Sequence, residues 1–144
     1  MAVRKILLPV DGSPGAGAAA RFAAELARSL DASLTLIYVF DAPAAASLGM
    51  VAKGNLDETK EQVSRGSFEA AREAIGDVLQ EVGTHVDIGH PAQAIVGYAK
   101  AGSFDMIVMG TRGLSPLKEL VIGSVSDRVL RLASCPVTLV RGGH

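Results

Sequence analysis

The sequence predicts a parallel α/β sandwich, a five-stranded sheet with helices on both faces, and three observations carry that prediction. Apolar runs such as Ile6-Leu-Leu8 and Asp105-Met-Ile-Val-Met109 are continuous rather than alternating, as in strands buried on both faces. Helix-length stretches separate these runs, so strands and helices alternate along the chain and call for right-handed crossovers. The strand-to-helix joints carry turn and cap residues, as at Asp11-Gly-Ser-Pro14 and Gly89-His-Pro91.

The first strand is expected over residues 3–10, with Pro9 marking its exit because proline cannot donate to a ladder. Ser13 then suits an N-cap and Pro14 the first helical position. Ala18, Phe22, Leu26 and Leu30 recur every four residues and predict the buried stripe of the first helix. Gly12, Gly15 and Gly17 follow the order G-x-x-G-x-G with Pro14 between them, which is not the dinucleotide fingerprint. A second strand is expected over 33–40. A small-residue loop from Asp41 through about Gly54 leads to a helix over 57–82, with Val63, Ala70, Ala74 and Val78 inward and a weak point at Ser64-Arg-Gly66. A short strand over 84–88 leads to a helix opened by Pro91, with Ala94, Ile95, Tyr98 and Ala99 inward, and ended by Gly102. A strand over 105–109, a helix from Ser124 to about Ala133 and a last strand over 137–140 complete the pattern.

At 144 residues the chain fits one domain, residues 1–144, with no internal repeat or linker. It is 49% hydrophobic, yet no apolar run approaches the roughly 18 residues of a membrane span. The N-terminus runs straight into a strand pattern without a signal-peptide core, so the cytoplasm is the expected location. A net charge of -1 with interspersed signs argues against nucleic acid and membrane surfaces as partners. Aromatics at 4% offer few stacking platforms for single strands. The one cysteine, Cys135, excludes an internal disulfide or multi-cysteine zinc site, and its apolar flanks suggest a packed small hydrophobe.

The most informative stretch is Gly110-Thr-Arg-Gly113, nine residues, and Gly123-Ser-Val-Ser126, placed directly after a buried strand. Glycines let the backbone approach an anion, and the N–H groups opening the next helix point at it. Ser124 suits the N-cap, with Asp127 three residues on as an approximate capping box. On local grounds an ordinary glycine turn and N-cap explain the segment equally well.

With Asp105-Met-Ile-Val-Met-Gly110, Cys135-Pro-Val-Thr-Leu-Val140 and Lys5-Ile-Leu-Leu-Pro-Val-Asp-Gly-Ser13, the spacing Gly-x2-Gly-x9-Gly-Ser resembles the nucleotide-binding branch of the universal stress protein family. The resemblance spans nearly the whole chain and is weakest over 41–82. It implies strand order 3-2-1-4-5, the adenine nucleotide alpha hydrolase-like arrangement, and ATP as ligand at the junction of strands one and four. Asp11, which is equally a turn-forming residue on local grounds, then contacts the nucleoside. Pro9, Val10, Val39 and Met109 match positions lining adenine and ribose. The polyphosphate is expected against Gly110, Gly113, Gly123 and the N–H groups of Ser124, Val125 and Ser126, with the two serine hydroxyls as further donors. Arg112 is either a phosphate contact or a solvated loop arginine. Any Mg²⁺ is held by the phosphates and water.

There is no P-loop lysine motif and no evident nucleophile–base pair, and the three histidines lack metal-ligand spacing. The function implied is therefore an ATP-binding regulatory or stress-response protein, with a slow ATPase or nucleotidyl-handling enzyme using the same pocket as the alternative. A member that acts through protein contacts alone would normally have lost the glycine loop. Under strand order 3-2-1-4-5 the last strand, Val137, Thr138, Leu139 and Val140, lies at an open edge and predicts a homodimer, the way many members of the family pair.

Overall fold

Ile6, Leu7 and Leu8 have no exposed surface, and this two-sided burial puts β1 (Lys5–Pro9) at the centre of the sheet. The computed structural model describes residues 2–11, 14–41, 56–111, 113–114 and 120–141. β1 pairs in parallel with β2 (Ser33–Phe40) on one side and β4 (Met106–Gly110) on the other. β3 (Gly83–Ile88) and β7 (Val137–Val140) extend the sheet, giving the order β3-β2-β1-β4-β7. Counted within this sheet, that is the expected 3-2-1-4-5. The short strands β5 (Gly113–Leu114) and β6 (Leu120–Val121) form a separate antiparallel pair inside the glycine segment, where only a loop was expected.

Alternation along each strand divides the core into two layers. Ile6, Leu8, Leu36 and Val108 pack under α1 (Pro14–Leu30) and α2 (Leu56–Ile75). Leu7, Ile37, Ile107 and Met109 pack under α3 (Pro91–Ala101) and α4 (Ser124–Leu132). Helices thus cover both faces, as the alternation required.

Several local expectations are corrected. The buried face of α1 is Ala19, Ala20, Ala23, Ala24 and Ala27, whereas Phe22 and Leu30 are 39% and 44% exposed. The backbone of α1 approaches β4 so closely at Gly15 that only small side chains fit beneath the helix, and the bulky ones are displaced to its flank. α2 ends at Ile75, seven residues short of the expected 82, because Gly76 adopts φ +60 and terminates it. The helix is continuous through Ser64-Arg-Gly66, and Ser64 is buried with its hydroxyl donating to the Glu61 carbonyl. Its buried face is Ser64, Ser67, Phe68, Ala71 and Ile75, with the expected Ala74, and Val78 beyond the helix end, packed against the same core, while Ala70 is exposed. β1 is shorter than 3–10 but does end on Pro9. The proposed Ser13 cap and the loop from 42 to 55 lie outside the described residues.

Asp105 ties β4 to β1 below the sheet's centre. Its carboxylate accepts from the Arg4 and Lys5 N–H groups at 2.9 and 3.0 Å, and these donors hold its carboxyl below the usual range. A lowered carboxylate stabilises the fold fully above its unfolded-state value of about 3.9 and loses that contribution as pH falls through its folded-state value. Asp105→Ala is expected to reduce stability at neutral pH, with its stability curve converging on that of the unaltered protein in acid. A constant gap down to about pH 2 would contradict this linkage.

Candidate functional site

The connections from β1 and β4 leave in opposite directions, and ligands of open α/β sheets bind at such a reversal beyond the strands' C-terminal ends. A cavity of about 170 Å³ opens there. Pro9, Val10 and Asp11 line it from the β1 side, and Met109, Gly110 and Thr111 from the β4 side. Ile37 and Val39 contribute from β2, Pro91 and Ile95 from α3, and Val125 and Ser126 from α4. Apolar side chains dominate the interior, while Asp11 is exposed at the rim.

Two glycines bring α1 against this site. A Cβ on Gly15 would lie 2.7 Å from the Thr111 carbonyl oxygen, and one on Gly110 would lie 2.7 Å from the Gly15 carbonyl oxygen. Gly110 thus lacks a side chain because α1 takes the space, a reason distinct from contact with phosphate. Its carbonyl also accepts the Ser126 hydroxyl at 3.1 Å, which ties the start of α4 to the end of β4. That hydroxyl is committed to Gly110 rather than offered to the cavity.

The N-cap of α4 is Gly123 with extended backbone and no side-chain cap, so Ser124 is the first helical residue and the expected capping box does not form. A bond from Asp127 N–H to the Gly123 carbonyl at 2.9 Å is the first within the helix. The N–H groups of Ser124, Val125 and Ser126 therefore have no partner inside the helix and carry its positive end. Such a helix start favours a negative charge, and here it stands beside an apolar cavity.

Electrostatics place a negative charge on the other side. Burial raises the Tyr38 phenol above its ordinary value, and the Asp11 carboxylate raises it further. Cys135 lies away from the cavity, at the far edge of the α3–α4 layer, and burial raises its thiol, in keeping with a packed rather than nucleophilic group. His85 lies within β3 and stacks on Tyr98 with ring centroids 3.9 Å apart, while His90 occupies the N-cap position of α3. Among the described residues no group of three or more His, Cys, Asp or Glu side chains could hold a metal ion, and no helix is long and apolar enough to cross a membrane.

Of the residues singled out in the sequence, the fold brings Pro9, Val10, Asp11, Val39, Met109, Gly110, Val125 and Ser126 to one cavity. Gly123 and Ser124 stand at the head of α4 beside it. Gly113 pairs with Val121 in the short hairpin, and Arg112 lies outside the described residues. Gly15, Ala16, Pro91, Ile95 and Thr111 join the lining without having been anticipated. Ile37 was legible in principle, being two residues before Val39 on the same strand face. Gly15 left a trace in the G-x-x-G-x-G pattern, and it packs α1 against the end of β4.

Residues 2–141 match the sequence profile of the universal stress protein family. A universal stress protein of Methanocaldococcus jannaschii is 34% identical over 142 residues, covering 96% of this chain and 82% of that protein. The solved structure of a universal stress protein from Archaeoglobus fulgidus superposes with a TM-score of 0.76 at 26% identity, covering 96% of this chain and 98% of that one. A universal stress protein from the same organism, solved in complex with dAMP, shares the fold with a TM-score of 0.73 at 24% identity, over 98% of this chain and all of that one. This chain belongs to the universal stress protein family.

Proposed function

We propose that the protein binds ATP as a cytoplasmic regulatory module of the stress response, with adenine in the cavity beside Val39 and the phosphates at the head of α4. The observation that carries the reading is the meeting of Pro9–Asp11, Gly110–Thr111 and Val125–Ser126 at one cavity. At about 170 Å³ the cavity is smaller than the roughly 300–1,000 Å³ of sites that enclose a drug-sized ligand, so it suits one flat base with sugar and phosphates at its mouth. Asp11 would repel phosphate and accepts instead from a ribose hydroxyl or the adenine amine. Phosphate takes the N–H groups of Ser124 and Val125, which have no partner inside the helix. Mg²⁺, where present, is carried by the phosphates. The dAMP complex of the Archaeoglobus fulgidus protein concerns that protein, and at 24% identity it supports the fold. Ligand choice here rests on this chain's own residues.

Binding is favoured over rapid turnover because no lysine, arginine or histidine lines the cavity among the described residues. Gly123 has φ -65 and ψ 157, a conformation open to any residue, so Gly123→Val leaves the backbone allowed while crowding the phosphate approach. Calorimetry is expected to show ATP affinity reduced by about 100-fold or more in this variant. Unchanged affinity would refute the phosphate placement.

The same reading includes a homodimer. Ile107 N–H donates to the Pro136 carbonyl and Thr111 N–H to the Val140 carbonyl, so even-numbered residues of β7 face β4. Val137 and Leu139 then direct their backbone groups outward from the sheet edge, where a second copy can pair with them. Leu139→Pro removes one outward donor and spares the ladder to β4. Light scattering is expected to give about twice the 14.8 kDa chain mass for the unaltered protein and a shift toward monomer for this variant. A monomer at high micromolar concentration would count against the interface.

A further inference from the structure

A groove of about 760 Å³ runs between the start of α3 and the length of α4 and borders the smaller cavity, sharing Pro91 and Val125 with it. Ser124 lies on its margin, so phosphates seated on the N–H groups of Ser124 and Val125 would stand at the junction of the two spaces. A group attached beyond the terminal phosphate would have this groove beside it. Its lining is unlike a phosphate channel. Asp127 faces the same space as Arg131 and is paired with it at 3.1 Å, so a further phosphate run would meet a carboxylate. The groove also carries His90, Gln93 and Arg128, and Arg128 is exposed with no ion pair among the described residues. An amide, an imidazole and a planar guanidinium are groups that hydrogen-bond or stack on a nucleobase, and a carboxylate accepts from a ribose hydroxyl.

We propose that the site accepts, besides ATP, a dinucleoside polyphosphate: one nucleoside in the cavity, the phosphates at the head of α4, and the second nucleoside in the groove between α3 and α4. This rests on the nucleotide reading above and names the ligand class that fills the space it leaves. Arg128 stacks on or bonds to the second base, and Gln93 offers a donor and an acceptor to its edge.

Calorimetric titration separates the two readings with three probes, ATP, adenosine tetraphosphate and diadenosine tetraphosphate. The last two carry the same number of phosphates and differ by the second nucleoside. Diadenosine tetraphosphate is expected to bind about tenfold more tightly than adenosine tetraphosphate. Arg128→Gln, on the exposed side of α4, is expected to abolish that advantage and leave ATP affinity unchanged. Equal affinity for the two tetraphosphates, with ATP still binding, overturns the second subsite alone. An advantage that persists in Arg128→Gln overturns its placement in the groove. Failure of all three probes overturns the nucleotide reading and this one with it.

Discussion

Gly110→Ala is expected to cost about 3 kcal/mol of folding stability, or roughly 10 °C in Tm. The new Cβ would stand 2.7 Å from the Gly15 carbonyl oxygen and 3.0 Å from its carbonyl carbon. Both are backbone atoms near the start of a helix, so relief requires moving α1 away from β4 rather than turning a side chain. Gly110 has no positive φ, so the cost is steric and not conformational. Gly15→Ala meets the Thr111 carbonyl in the same way and is expected to cost a similar amount. The two changes should be less than additive together, because one displacement of α1 relieves both. Chemical denaturation of the single and double variants measures this directly. A Gly110→Ala protein as stable as the unaltered one would mean that α1 does not pack this closely.

Val39→Phe acts on the ligand and spares the fold. Val39 is half-buried and lines the cavity, so a larger side chain grows into empty space instead of into packed core. The ring occupies the volume assigned to adenine. ATP affinity is expected to fall by about 100-fold or more, with Tm within about 2 °C of the unaltered protein. Retained affinity would place the base elsewhere, and a collapse in Tm would mean that the site is core rather than cavity.

The strands were legible because burial on both faces leaves uninterrupted apolar runs, as in Ile6-Leu-Leu8, whereas their order was implied by the family resemblance. The helices were less so. In α1 the four-residue recurrence placed Phe22 and Leu30 inward with Leu26, and Leu26 does pack against the core, but the close approach at Gly15 made small volume the deciding property for the buried face. In α2 the end at Gly76 depended on a positive φ that an apolar pattern does not announce. At the site, local chemistry picked out the glycine segment as an anion cradle, whereas Pro9, Val10 and Asp11 were implied as ligand contacts by the family resemblance. Pro91 and Ile95 escaped because their helix reaches the cavity through tertiary packing, and an isoleucine on an apolar face carries no mark of a ligand. Gly110 was recognised, but for phosphate approach alone, and its contact with α1 was not visible in the sequence.

The central claim is that one crevice holds an adenine nucleotide between the β1 and β4 exits and the head of α4. Crystals grown with ATP test it most directly. The predicted result is adenine against Val39 and Met109, with a phosphate oxygen about 3 Å from the N–H of Ser124 or Val125. ATP ordered at another surface, or a crevice without nucleotide at saturating ATP, would contradict it.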